Sequence, residues 1–241
     1  ELAKLIEAEA SYRKAITLKC DFVLAHNNLS ATLKELGRLK EAEASSRKAI
    51  ILSPESALAY NTMGAIFKEF GSLKEAESSS RKAIILKTDF ALAHRNLAVT
   101  FKAMGRLEDT EASYRRTIYV DRYYYEAYVD LSKCLIELGK MDEAEAILRQ
   151  VIALKPGFAD AFWCLYGTAK TIDAAEYWID RCLTASAGDE RFRTTKSALR
   201  FYQGDGADFD VLMQSEFKQH SYMRSFSWAF ILPNLPELYF N

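Results

Sequence analysis

The sequence predicts an all-α solenoid of stacked helical hairpins, and three observations carry that reading. Gly37, Gly71, Gly105 and Gly139 fall at an unvarying interval of 34 residues. The words that follow them recur in the same phase: GRLKEAEASSRKAI, GSLKEAESSSRKAI, GRLEDTEASYRRTI and GKMDEAEAILRQVI. Each period also holds two runs with apolar residues at helical spacing, such as Leu29, Leu33 and Leu36, then Leu39, Ala42, Ala49 and Leu52. Self-similarity at such a period marks a repeat architecture, in which each unit buries its apolar face against the next.

The opening LIEAEASYRKAI is the same word with its glycine lost, so residues 1–22 are expected to supply only the second half of a unit. Four full units follow, at 23–56, 57–90, 91–124 and 125–158. In each, the glycine is the expected helix stop, because it tolerates the left-handed conformation that ends a helix. Small residues recur where helices must approach closely: Ser30, Gly64, Ala98 and Ser132 on first helices, Ala42, Ala76 and Ala144 on second helices. The third unit departs from this, with Thr110 and Thr117 in place of Ala and Arg122 in place of Pro. Residues 159–190 read as a degenerate short unit, since TIDAAEYWIDRCL aligns with KMDEAEAILRQVI only if three residues are missing from the first helix or its turn. Beyond it the phase disappears, and residues 191–241, interrupted by QGDGAD and by Pro233 to Pro236, read as a helical cap or linker. The expected division is thus a solenoid over 1–190 and a cap over 191–241.

A period of 34 with a helix-turn-helix inside each unit resembles the tetratricopeptide repeat family. Counted from Val23, His26, Leu29, Ser30, Leu33, Ala42, Ser46, Ala49 and Pro54 occupy the family's pattern positions. From Ala57 they are Tyr60, Met63, Gly64, Phe67, Ala76, Ser80 and Ala83; from Ala91, His94, Leu97, Ala98, Phe101 and Tyr114; from Tyr125, Tyr128, Leu131, Ser132, Leu135, Ala144, Leu148 and Pro156. The resemblance covers residue 1 to about 158. It implies a right-handed superhelix whose concave groove is lined by the first helices. It also implies a noncatalytic scaffold that binds an extended peptide or a partner segment there.

Carrying the family's groove positions over gives Asn27, Ala31 and Lys34; Asn61, Ala65 and Lys68; Arg95, Val99 and Lys102; Val129, Lys133 and Ile136; and Trp163. Some members grip a peptide backbone with an asparagine one residue on. Asn28 and Asn96 match that position, whereas Thr62 and Asp130 interrupt it. An amide suits the task because it both donates and accepts, complementing the N–H and C=O of an extended chain. Polar contacts near the first three units and a more apolar far end at Val129, Ile136 and Trp163 are the expected division of labour. Lys34, Lys68 and Lys102 form a stripe at the repeat interval, blunted by Glu35 and Glu69 beside two of them.

Charge and composition narrow the partner. A formal net charge of -1 provides no field for nucleic acid, and no apolar run approaches the roughly 20 residues of a membrane span. Cys20, Cys134, Cys164 and Cys182 lack CxxC spacing and a paired pattern, so neither a zinc site nor a disulfide framework is expected. With no signal-peptide core at the start, a reducing, cytoplasmic setting is the simplest expectation. The pairs Glu9–Arg13, Glu43–Arg47, Glu77–Arg81, Glu111–Arg115 and Glu145–Arg149 are spaced i, i+4 on second helices and are read as helix-stabilising decoration.

No catalytic, cofactor or metal site is expected. His26 and His94 share a repeat position with Tyr60 and Tyr128 and are packing residues, leaving His220 alone outside the pattern. GDG at 204–206 lacks the strand, further glycines and Lys of a phosphate loop and reads as a turn. The segment from Arg224 to Asn241 resembles the linker that precedes a methyltransferase domain in some bacterial multidomain tetratricopeptide proteins. The alternative reading is therefore an accessory region that positions substrate or oligomerises for a larger methyltransferase or glycosyltransferase. Self-association through repeat edges is a third expectation.

Overall fold

The computed structural model describes residues 2–202, which form twelve α-helices and no strand. His220, the GDG at 204–206 and the aromatic-rich sequence from Arg224 lie outside the described residues. The second helices of the hairpins are α1 (Leu2–Leu18), α3 (Leu39–Leu52), α5 (Leu73–Leu86), α7 (Leu107–Val120), α9 (Met141–Leu154) and α11 (Ile172–Ala185). The first helices are α2 (Val23–Glu35), α4 (Ala57–Glu69), α6 (Ala91–Ala103), α8 (Tyr125–Glu137) and α10 (Ala159–Thr168), and α12 (Glu190–Tyr202) ends the described chain. The result is an all-α repeat solenoid. The chain divides into two compact units, Glu1–Ala127 and Tyr128–Asn241.

In the first unit each helix packs on the next in sequence, and α2, α4 and α6 also touch one another in order. The hairpin turns share one chemistry. Gly37 has φ +73°, its N–H donates to Lys34 O at 2.9 Å, and the Arg38 N–H reaches back to Leu33 O at 2.9 Å. That pair of bonds satisfies two carbonyls a helix end would leave open, and a side chain would strain the left-handed turn. The same geometry recurs at Gly71, Gly105 and Gly139.

The small residues sit where helices come closest. Ala42, Ala49, Ala76 and Ala83 are fully buried on second helices, and Ser30 Oγ donates to Ala42 O at 2.7 Å while Ser46 Oγ donates to Ala59 O at 3.1 Å. At Gly64 a Cβ would lie 2.7 Å from Ser80 Oγ and 3.2 Å from Ala76 O, so α4 and α5 pack at a separation that leaves room only for hydrogen. Leu29, Leu33, Ala42 and Ile66, with Tyr12 and Ile16 against them, form the core between α1 and α4. The threonines that replace Ala in the third unit are accommodated: both are fully buried, and their hydroxyls donate to Arg106 O (2.8 Å), at the start of their own helix, and to Ser113 O (3.0 Å) within it.

On the surface, all five i, i+4 Glu–Arg pairs form at 2.6–2.8 Å. Two of them, at Glu9 and Glu77, are tied to the next repeat by a contact no local pattern shows. Arg38 reaches Glu9 at 2.7 Å while holding Glu41 at 2.6 Å, and Arg106 does the same with Glu77 and Asp109. The Arg13 and Arg38 guanidiniums hold the Glu9 carboxyl below the usual carboxylate range.

In the second unit α10 has 10 residues where α2, α4, α6 and α8 have 13, which places the deletion in the first helix. The missing turn glycine is replaced by a different device: α10 ends at Ala169 in extended backbone, and Thr171 Oγ1 accepts the Ala174 N–H at 3.2 Å to start α11. Asp189 performs the same task for α12, accepting the Arg191 N–H at 3.0 Å and its guanidinium at 2.6 Å, and this contact with Arg191 lowers its pKa. Phe162, Tyr166, Ile179, Cys182, Phe192 and Leu199 form the core that joins α10, α11 and α12.

Candidate peptide-binding site

The first-helix face of the first unit is built by α2, α4 and α6 lying side by side, which brings Asn27 and Asn28, Asn61, Arg95 and Asn96 onto neighbouring helices. These side chains are not equally open. Asn27 and Asn61 are only 3% and 4% exposed, whereas Asn28, Arg95 and Asn96 are half-buried. The buried amides bridge laterally between repeats. Asn96 Nδ2 donates to Asn61 Oδ1 at 2.8 Å, and the Thr62 hydroxyl lies 3.1 Å from Asn27 Oδ1 and 3.0 Å from Leu58 O, its one proton shared between the two. Each bridge spans 35 residues. Thr62, an interruption in the sequence pattern, thus takes the asparagine's place in the lateral bond.

The lysine stripe has a structural origin as well. Lys34, Lys68 and Lys102 each lie in the last turn of a first helix, where the negative end of the helix dipole favours a cation. Lys34 Nζ meets Glu35 at 2.5 Å and Lys68 Nζ meets Glu69 at 2.6 Å. Lys68, with the more distant Lys34 adding to it, holds the Glu69 carboxyl below its ordinary range. The stripe is therefore a row of ion pairs at its first two positions.

In the second unit Val129 is buried, Ile136 half-buried and Lys133 exposed, all on α8. Trp163 on α10 is engaged within the fold. Its ring stacks on Tyr166 at 5.2 Å and leans on Phe192 of α12 at 5.4 Å, beside the Phe162–Trp178 stack at 6.2 Å. The repeat pattern does not show these contacts, because α12 lies beyond its phase.

The histidines are anchors. His26 Nε2 lies 3.0 Å from Cys20 O and His94 Nε2 lies 3.0 Å from Thr88 O, so each pins the loop entering its own first helix. Among the described residues no group of three or more His, Cys, Asp or Glu is placed to hold a metal ion, and no helix is long and apolar enough to cross a membrane. Cys20 is exposed, whereas Cys134, Cys164 and Cys182 are buried. Burial raises the Cys164 thiol pKa and pushes that of Cys182 up to about 12. Under native conditions at pH 8, one of the four thiols is expected to react quickly with a chromogenic disulfide reagent, and all four in guanidinium; Cys20→Ser should remove the fast phase.

These features define a class: an all-α repeat protein whose first helices α2, α4 and α6 present a polar face. Residues 23–56 and 103–163 each match the tetratricopeptide repeat. No curated protein matches its sequence. Among solved structures it is similar to PilW, a widely conserved type IV pilus biogenesis factor, at 20% identity and TM-score 0.70, covering 84% of this chain and 97% of that one. It is similar to pilF of Pseudomonas aeruginosa at 17% identity and TM-score 0.65, covering 92% and 98%. It also resembles YrrB, described as a tetratricopeptide protein with an unusual peptide-binding site, at 22% identity and TM-score 0.55, covering 75% and 94%.

Proposed function

We propose that this chain is a noncatalytic protein-interaction scaffold that holds an extended segment of a partner along the face of α2, α4 and α6. The observation that carries the reading is the state of Asn96. One amide N–H is committed to Asn61, and the half-buried side chain keeps its carbonyl oxygen and second N–H for a ligand. That donor and acceptor match the two groups an extended peptide presents, and Asn28 and Arg95 flank it on the same face. Asn27 and Asn61 act one layer below, fixing the spacing of the helices that present the ligand groups. The resemblance to YrrB, whose own site binds peptide, is one of fold and agrees with this reading.

The test starts from a random-peptide library selected on the immobilised chain, with the selected peptide measured by fluorescence anisotropy. Asn96→Ala is expected to weaken it by about 1 kcal/mol, roughly fivefold, and Ser78→Ala on a second helix to leave it unchanged. Equal affinity for wild type and the Asn96, Asn28 and Arg95 variants, all with native circular dichroism, would move the binding surface elsewhere.

A further inference from the structure

The outer face of the second helices in the first unit carries a pattern the first-helix reading does not use. One row of cations, Arg13, Arg47, Arg81 and Arg115, has a glutamate four residues earlier and is paired with it. The next row, Lys14, Lys48, Lys82 and Arg116, has Ala10, Ala44, Ser78 and Ala112 at that spacing, so no acid is within helical reach. All four of these cations are exposed, and none has a carboxylate partner among the described residues. One turn further along, three helices place a large apolar side chain in solvent: Ile51 and Ile85 at 72% exposure and Tyr119 at 78%. Arg116 lies over the Tyr119 ring at 4.7 Å.

Between these helices run furrows related by the repeat. The first, about 460 Å³, lies between α1 and α3 over α2 and is lined by Arg13, Ile16, Leu29 and Lys48 among others. The second, about 330 Å³, is lined by Arg47, Ile50, Ile51 and, on its floor, Met63 and Phe67 of α4. Its lining residues are largely those of the first moved on by one period. At the third position Phe101 lies under the guanidiniums of Arg81 (5.5 Å) and Arg106 (4.3 Å).

We infer that this face is a second docking surface, for an acidic peptide segment that also carries large apolar side chains. The carboxylates would meet the unpaired row Lys14, Lys48, Lys82 and Arg116, and the apolar side chains would enter the two furrows against Leu29, Met63 and Phe67. Both halves of that chemistry are needed. Cations alone would suit a nucleic acid, but phosphates have no use for furrows with apolar floors or for exposed isoleucines. A membrane surface would need a continuous apolar face, whereas here the apolar groups stand one per helix with charged residues between them. Paired glutamates beside the row, at Glu43, Glu77 and Glu111, further disfavour a polyanion and leave room for a ligand of discrete, spaced charges.

The probe is a fluorescein-labelled 16-residue peptide of Glu, Leu and Phe, measured by anisotropy on the full chain at low salt. Binding is expected, with at least a tenfold loss on replacing its Glu by Gln or its Leu and Phe by Ser. Lys48→Glu combined with Lys82→Glu should weaken it about tenfold or more, and Lys48→Gln with Lys82→Gln about threefold, both with native circular dichroism. Ile51→Ser with Ile85→Ser should weaken it severalfold, while Asn96→Ala leaves it within twofold. No binding of the probe, equal binding of either altered peptide, insensitivity to the Lys48 and Lys82 changes, or tighter binding of a single-stranded oligonucleotide or of anionic vesicles would each overturn the inference. Because Asn96→Ala reads the other face, failure here leaves the first-helix proposal standing, and the reverse holds as well.

Discussion

Phe192→Ala is expected to cost about 3–5 kcal/mol, the usual range for truncating a buried aromatic ring. Phe192 is 1% exposed and sits on α12 among residues of α10 and α11. Its removal would leave a cavity lined by three helices, which the surrounding rings cannot fill without breaking the Trp163–Tyr166 stack. Urea unfolding followed by tryptophan fluorescence reads the loss, since Trp163 and Trp178 both pack against this core. An unchanged midpoint would mean that α12 rests on the surface of the unit and not in its core.

Ala76→Leu is expected to cost about 1–3 kcal/mol through overpacking. Ala76 is fully buried on α5, and its carbonyl oxygen lies 3.2 Å from where a Cβ on Gly64 would be. Neither helix has slack to admit three extra carbons. The strain should be local, so hydrogen exchange read by mass spectrometry is expected to accelerate in α4 and α5 before it does in α10 and α11. Ser78→Leu, two residues on and exposed, is the control and should leave both exchange and the melting midpoint nearly unchanged. If the two variants melted alike, the register of the second helix would have to be redrawn.

The parts of the site that were legible beforehand are those set by position within one repeat. Lys34 and Lys68 do lie beside Glu35 and Glu69, because adjacent residues at a helix end share a neighbourhood whatever the rest of the chain does. Asn28 and Asn96 are half-buried at the positions the repeat assigns, while Asn27 and Asn61 are almost fully buried. Nothing in their residue type separates the two pairs. What separates them is the partner helix: an amide facing the next first helix is covered by it and bonds to it.

The hairpin order, the glycine turns, the close contacts at Ser30, Gly64 and Ala76 and the i, i+4 ion pairs follow from the sequence by itself, because each depends on residues a few positions apart repeated in a fixed phase. Tertiary structure alone decided the lateral bonds from Asn27 to Thr62 and from Asn61 to Asn96, and the reach of Arg38 back to Glu9. It also decided that Trp163 leans on a helix outside the repeat phase, that furrows open between second helices, and that Phe101 lies beneath two guanidiniums. The physical reason is range. Turn and pairing preferences act within one or two helical turns, whereas burial and hydrogen bonding depend on atoms another helix brings within 3–4 Å, which only the packed chain specifies.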